Sequence, residues 1–269
     1  MSETSVSGVE RIAEAFESAH AEGRRAALMP YLMAGYPDLE RSAEILAAYV
    51  QAGADLIELG IPFSDPLADG PVIHAAAVAA LASGVRTMGA LQLARQVSDR
   101  IAVVVMCYSN LIVARGVERF ADSLAAVGAS GLIVPDLPFE EAPAMLAALD
   151  ARGLALVPLV APTTPEARLA AIGGRARGFL YTVSVTGTTG ERVHNDGGLA
   201  QVLSRARAHT EVPVAVGFGI GTPQQAREAA DAGADGVIIG SRLVREAGSD
   251  PHPAGPVGAL VSAFAGALR

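Results

Sequence analysis

Lysine is absent from this chain of 269 residues, and all twenty of its basic residues are arginine. Without a lysine side chain no Schiff base can form with a carbonyl substrate, so carbon–carbon bond chemistry through a lysine imine is excluded. Tryptophan is absent too, and aromatic residues make up only 4% of the chain. The five histidines lie far apart without ligand-like spacing, so the sequence predicts no metal site. They are His20, His74, His194, His209 and His252.

Cysteine occurs once, as Cys107, so no disulfide can form within the chain. The residues before it, 103–106, are apolar and typical of a strand. This setting predicts an inert, buried thiol rather than a nucleophile.

Positive charge is scarce, since the net charge is −8 and no basic run occurs. We therefore expect neither nucleic acid nor an anionic membrane surface as a partner. No apolar stretch is long enough to span a bilayer, and residues 1–10 lack the features of a signal or transit peptide. The expected location is the cytoplasm.

A hydrophobic content of 51% suits one barrel-sized domain over residues 1–269. Three segments repeat a helix end, a glycine cap and a buried strand, beginning at Ala52, Val127 and Asp231. Such repeated units indicate a parallel α/β fold. Six of the eight predicted strands are 27–33, 55–59, 101–106, 154–159, 178–183 and 212–216, and the fourth and eighth end the repeat segments 127–134 and 231–239.

Eight βα units in about 250 residues favour a TIM (β/α)8 barrel. No full dinucleotide-binding fingerprint follows the first strand, which disfavours an open, doubly wound sheet. Apolar residues at helical spacing in 8–21 predict an extra N-terminal helix that could plug the lower end of the barrel.

The run 58–71 carries three carboxylates in a hydrophobic setting. Alternation along its strand places Glu58 on the same side as Leu56, so this acid shares a face with the core. Desolvation raises the pKa of such a carboxyl, which can then donate a proton near neutral pH. Asp69 stands between Pro66 and Pro71, in a loop stiff enough to hold it at a set distance from Glu58.

Structural roles for both acids remain open at this point. Glu58 could be a buried acid paired with an arginine. Asp69 could be a helix N-cap ahead of Pro71 in the first turn.

Glycines follow the last two predicted strands, in 217–221 and at Gly240 before Ser241. Barrels often bind phosphate at these two loops through backbone amides and the N-terminus of a short helix. Gly219, Gly240 and Ser241 are therefore candidate phosphate ligands, although such glycines can also serve only as tight turns. Farther back, the small and hydroxyl residues of 184–192 are typical of a segment that closes over a site.

The run 58–71 closely resembles the signature of the tryptophan synthase alpha subunit family, and the resemblance extends along nearly the whole chain. It implies retro-aldol cleavage of indole-3-glycerol phosphate to indole and glyceraldehyde 3-phosphate. Glu58 then matches the acid/base, and Asp69 the contact to the indole nitrogen. The resemblance also implies no cofactor on this chain, and a beta subunit with pyridoxal phosphate as partner in an α2β2 tetramer.

Further positions match substrate contacts of that family. They are Tyr31, Tyr108 and Tyr181, with Thr189 at the catalytic aspartate and Gly190 at the phosphate. Asp65 matches an aspartate that meets the beta subunit, although Ser64-Asp65-Pro66 could also simply cap a turn. The chain departs from the family at Tyr31, Met33 and Thr188, where relatives often carry phenylalanine, threonine and valine.

Two alternative functions stay open. A free-standing indole-3-glycerol phosphate lyase would share every motif. The other alternative is a catalytically silent subunit that binds the phosphorylated ligand and regulates its partner. The presence of both Glu58 and Asp69 disfavours this second alternative.

Overall fold

The strands of the computed structural model, which describes residues 6–183, 198–217 and 219–269, form one parallel sheet. Its strand order is β5-β4-β3-β2-β1-β9-β8-β7-β6. The strands are β1 Ala27–Met33, β2 Leu56–Gly60, β3 Ala102–Met106, β4 Gly131–Ile133, β5 Ala155–Val157, β6 Leu159–Val160, β7 Leu180–Val183, β8 Val214–Gly217 and β9 Gly236–Ile239.

The fifth predicted strand is interrupted at Pro158, which is why the sheet has nine segments instead of the expected eight. Proline has no N–H to donate to a neighbouring strand. Its carbonyl accepts a hydrogen bond from the Tyr181 amide at 3.0 Å. Because β5 pairs with β4 and β6 pairs with β7, the two halves of one strand stand at opposite ends of the sheet order. The chain through Pro158 thus closes the barrel, and the predicted (β/α)8 fold is confirmed.

Helices follow the strands and cover the outer face of the sheet, where apolar side chains of both layers form the larger core. Among the described residues, no single helix has the length and apolar composition needed to cross a membrane. The neighbouring helices Pro71–Ala82 and Thr87–Arg95 meet that test only as a pair, bent by 105° at the break between them. The helices are α1 Gly8–Ala21, α2 Leu39–Gln51, α3 Pro71–Ala82, α4 Thr87–Arg95, α5 Ser109–Val113, α6 Val117–Ala126, α7 Pro143–Asp150, α8 Glu166–Gly173, α9 Gly198–Arg207, α10 Pro223–Asp231, α11 Ser241–Ala247 and α12 Ala254–Ala267, with a 3-10 turn at Phe139–Glu141.

The N-terminal helix α1 lies across the end of the barrel at which the strands begin. Ser7 and Glu10 form a capping box at its start. Its buried Ile12 and Phe16 join the cluster of side chains inside the barrel. The Arg11 guanidinium donates to the backbone carbonyls of Ser98, Gly128 and Ile101. The expected plug is therefore present, and it leaves the opposite end of the barrel for a site.

The sequence repeat has a structural role at the strand starts. Its glycines Gly53, Gly128 and Gly233 all have positive φ, as expected of residues that end a helix. Two copies continue with an aspartate. Asp55 accepts a hydrogen bond from the Leu28 amide at 2.7 Å, and Asp235 accepts one from the Val214 amide at 2.8 Å. Each aspartate thereby ties its own strand to a neighbour.

Candidate active site

Glu58 points into the barrel, as the alternation along its strand predicts. Its sequence neighbour Leu56 and its register partner Val104 both belong to the interior cluster. The side chain is only 2% exposed, and its Oε2 atom has no hydrogen-bond partner in the part of the chain that the structure describes. Burial, followed by the nearby charge of Asp69, raises the pKa of Glu58 to about 8. This carboxyl is therefore protonated near neutral pH, unlike a structural acid paired with an arginine.

Asp69 lies in the loop between β2 and α3. Gly70, and not Asp69, is the N-cap of α3, with Pro71 in the first turn. The Asp69 carboxylate instead accepts a hydrogen bond from the Tyr108 hydroxyl at 3.0 Å. Burial raises the pKa of Asp69 above its ordinary value, and the Tyr108 hydrogen bond and the nearby His74 oppose this shift. The two acids thus have unlike surroundings, since the Oε2 atom of Glu58 has no hydrogen-bond partner among the described residues and Asp69 is hydrogen-bonded.

Tyr108 fixes the loop that carries Asp69. Its hydroxyl also accepts a hydrogen bond from the Ala68 amide at 3.1 Å, and its ring stacks on Phe63 with 5.2 Å between centroids. The next residue, Ser109, donates through its amide and hydroxyl to Asp136 in the loop after β4. The loops after three consecutive strands are therefore joined by hydrogen bonds.

A cavity at the carboxyl ends of the strands holds both acids. The predicted residues that line it with Glu58 and Asp69 are Tyr31, Tyr181, Gly219, Gly240 and Ser241. Tyr108 is not in the lining, and its hydroxyl is hydrogen-bonded to Asp69. Thr189, Gly190 and Thr188 lie outside the described residues, as does the whole expected closing segment at 184–192.

Sequence reasoning missed the apolar wall of this cavity and one arginine. Met106 and Leu159 share the inward strand face with known interior residues, so alternation could have found them. Arg242 gave no signal beyond its place after Ser241, and its guanidinium pairs with Glu246 at 2.6 Å. The missed lining residues are Ala68, Ile73, Met106, Pro135, Leu159, Ile220, Ile238 and Arg242.

Two loops bring backbone groups to this cavity. Gly219, after β8, has a φ of 81°, a conformation that suits glycine. Gly240, after β9, is the N-cap of α11 and has no side chain to bond the first amides of that helix. Those N–H groups have no partner within the helix. Glycines from both loops therefore line one cavity, as expected for an anion site.

Cys107 and Asp65 differ sharply in exposure. Cys107 is fully buried, as expected, and burial raises the pKa of its thiol. Asp65 is exposed and accepts a hydrogen bond only from the neighbouring Ser64 hydroxyl, at 2.5 Å, among the described residues. Leu67, two positions on, is 81% exposed. The rim of the site thus presents an acid and an apolar side chain to solvent.

Within the described ranges, no group of His, Cys, Asp or Glu side chains could hold a metal ion.

The barrel holds a cavity at the carboxyl ends of its parallel strands, where barrel enzymes of this fold have their active sites, and two carboxyl groups line it. Residues 16–258 match the family model described as tryptophan synthase alpha chain. The chain belongs to this family.

Individual relatives agree with the family model. The tryptophan synthase alpha chain of Prochlorococcus marinus is 52% identical over 236 residues, which cover 87% of this chain and 86% of that protein. The protein of the same name from Gloeobacter violaceus is 51% identical over 237 residues, covering 87% and 86%. Among solved structures, a Mycobacterium tuberculosis tryptophan synthase superposes with a TM-score of 0.89 at 40% identity, covering 96% of this chain and 98% of that chain.

The buried Glu58 makes the stability of the protein depend on pH. Its pKa is about 8 in the folded chain against an ordinary 4.5, so the folded state binds more protons between these values. The free energy of unfolding should therefore fall as pH rises through this window, by at most about 1.4 kcal/mol per pH unit from this group. Glu58→Gln removes the term. Urea unfolding of both proteins from pH 5 to pH 8 should show a difference between them that grows with pH, and a constant difference would contradict the assignment.

Proposed function

We propose that the chain is a carbon–carbon lyase of tryptophan biosynthesis, which cleaves indole-3-glycerol phosphate to indole and glyceraldehyde 3-phosphate through Glu58 and Asp69. The reaction is a retro-aldol. Its indole C3 must gain a proton, its ring nitrogen must bear developing positive charge, and its side-chain hydroxyl must lose a proton. No lysine is present to form an imine, so these tasks fall to the carboxyl groups.

Glu58 has the properties of the acid/base. Being protonated near neutral pH, it can give its proton to C3 of the indole ring. The carboxylate that results can take the proton of the substrate hydroxyl as the carbon–carbon bond breaks. Asp69, in a more polar setting with a Tyr108 hydrogen bond, is suited to stabilise positive charge on the ring nitrogen. The observation that carries this proposal is that one cavity holds two unlike acids: Glu58, whose buried Oε2 atom has no hydrogen-bond partner among the described residues, and Asp69, which is hydrogen-bonded to Tyr108.

Glu58→Gln should abolish indole formation and leave binding of the substrate nearly unchanged, because the amide keeps the shape but cannot transfer a proton. Asp69→Asn should lower kcat roughly a hundredfold, the scale of losing a preorganised charge. Indole release and binding calorimetry measure the two effects. Substantial turnover by Glu58→Gln would refute the role of Glu58. It would also exclude a catalytically silent regulatory subunit, because the chain would still be an active enzyme.

Backbone amides of the loops after β8 and β9 are proposed to bind the substrate phosphate. Gly219, Gly240 and Ser241 line the cavity from these two loops, and backbone N–H groups at a helix start attract anions. Substitution at Gly219 is a blunt test, because its positive φ would strain any other residue. Gly240 is the better position, since a Cβ there would meet no atom within 4 Å.

Gly240→Ala should fold normally and yet raise KM for the phosphorylated substrate about tenfold, because its methyl group crowds the amides that face the anion. Gly266→Ala in α12 is the matched control, since its added Cβ also meets open space. Steady-state kinetics give KM, and calorimetry with glycerol phosphate gives the affinity. Equal affinity in the two variants would place the phosphate elsewhere.

A beta subunit that carries pyridoxal phosphate is the proposed partner, in an α2β2 tetramer, and this chain itself needs no cofactor. The exposed Asp65 and Leu67 support this, because the same rigid loop holds Asp69 at the site. A partner that orders this loop would pre-organise Asp69 and raise activity, and by reciprocity each site would change the ligand affinity of the other.

The beta subunit should raise indole formation at least about tenfold, equal to about 1.4 kcal/mol of barrier. Asp65→Ala should lose most of this gain and keep the basal rate, since Asp65 lies on the rim and does not line the cavity. Indole release is measured with and without saturating beta subunit, with Glu141→Ala as a control for loss of an exposed acid elsewhere. Full activation of Asp65→Ala would refute the coupling, and a high rate without partner would favour a free-standing lyase.

A further inference from the structure

Tyr31 stands beside Glu58 inside the barrel. The two residues are direct register partners on the adjacent strands β1 and β2. Both are almost fully buried, at 3% and 2% exposure, and both line the cavity that Asp69 completes. A tyrosine next to the acid is therefore part of the site, and the position of its hydroxyl group decides what it does there.

The Tyr31 ring leans toward the mouth of the barrel. A Cβ at Gly60 would lie only 2.1 Å from the Tyr31 hydroxyl oxygen. Gly60 is two residues beyond Glu58 on the same strand, so its Cβ direction is on the same face. The hydroxyl thus crosses the strand of the acid just beyond the carboxyl group, on the side from which a substrate enters.

Neither polar group has a strong partner in the described part of the chain. Among the described residues, the Tyr31 hydroxyl has the Met33 Sδ, at 4.0 Å, as its one hydrogen-bond partner, and a thioether is a weak acceptor. The adjacent Glu58 carboxyl has an Oε2 atom without a hydrogen-bond partner. Buried polar groups are almost always hydrogen-bonded, so a donor with only a weak acceptor is matched to a neighbouring acceptor atom that has no partner.

We propose that the Tyr31 hydroxyl donates a hydrogen bond to the Glu58 carboxylate whenever Glu58 is ionised. Tyr31 is then a positioning residue, which sets the pH at which Glu58 exchanges its proton and holds the carboxylate in place for the return transfer. This inference rests on the proposed function only for the catalytic role of Glu58. The hydrogen bond itself is a property of the free protein.

The other charges around Glu58 make Tyr31 the suitable donor. Asp69 in the following loop is a negative charge and cannot donate when it is ionised, and Tyr181 on β7 faces the acid from the far side. Burial, then the charges of Asp69 and Glu58, hold the pKa of Tyr31 well above its ordinary value. Tyr31 therefore keeps its proton at every pH at which Glu58 titrates. Tyr108 and His74 act on Asp69, and Arg242, also in the lining, pairs with Glu246.

Tyr31→Phe tests the hydrogen bond with little change of shape. The variant should raise the pKa of Glu58 by about one unit, the effect of losing one hydrogen bond to a charged group. The pKa is measured in the free protein by infrared spectroscopy of the carboxyl stretch after 13C labelling of glutamate, with Glu58→Gln as the blank. The pH profile of kcat/KM should move in the same direction, whereas KM at its optimum should change little.

Tyr49→Phe is the matched control. Tyr49 lies on α2, is fully buried, and donates its hydroxyl to the Tyr31 carbonyl at 2.9 Å, on the outer face of the sheet. Its loss perturbs the same strand without approaching the acids, so the pKa of Glu58 should stay at the wild-type value. An unchanged pKa in Tyr31→Phe would overturn the proposal, and so would an equal shift in Tyr49→Phe.

Met33→Leu provides a second test that keeps the hydroxyl. It removes the sulfur that competes for the Tyr31 proton, so the pKa of Glu58 should not rise and should fall slightly. A rise in this variant would mean that packing, and not the hydroxyl, governs the acid. The two proposals can fail separately. If Tyr31→Phe shifts the pKa of Glu58 and Glu58→Gln still releases indole, the hydrogen bond is supported and the proposed catalytic role of Glu58 is refuted.

Discussion

Desolvation of one carboxyl group is the constraint on which the site depends. Glu58 lies buried on the inner face of a barrel strand, beside the apolar Leu56 and Val104, and its Oε2 atom has no hydrogen-bond partner among the described residues. A charge in such a place is unfavourable, so the group keeps its proton to about pH 8. The fold thereby provides a proton donor at neutral pH. The protein is less stable for it, because an apolar side chain in the same position would stabilise the fold more.

The second acid shows how a single loop can give a carboxyl group another character. Asp69 is held by Tyr108, which also accepts the Ala68 amide, so the loop and its carboxylate are fixed by one side chain. A hydrogen bond that favours the ionised form opposes the effect of burial. Because the charge of Asp69 also raises the pKa of Glu58, each acid depends on the state of the other.

Local patterns in the sequence predicted what local rules govern. Strand alternation placed Glu58 inside the barrel, and the glycine caps marked where helices end and strands begin. The Asp69–Tyr108 hydrogen bond joins loops 39 residues apart, and no local rule predicts such a contact. The break at Pro158 was readable in principle, because proline cannot donate within a strand, but only the paired neighbours show that this break lies where the barrel closes.

The arrangement of Tyr31 over Gly60 occurs a second time, on the opposite side of the barrel. Tyr181 on β7 is in register with Ala215, and a Cβ at Gly217, two residues on, would lie 2.2 Å from its hydroxyl oxygen. In both places the missing Cβ lets a tyrosine lean across the next strand toward the mouth of the barrel.

This repetition gives the cavity both apolar surface and polar groups. Two aromatic rings line it, and both hydroxyl groups lie close enough to the buried acid for the charge of Glu58 to raise their pKa. An alanine at either glycine would displace the ring and its hydroxyl together. The two glycines are therefore as much a part of the acid's surroundings as the tyrosines, although neither glycine has a side chain to place in the cavity.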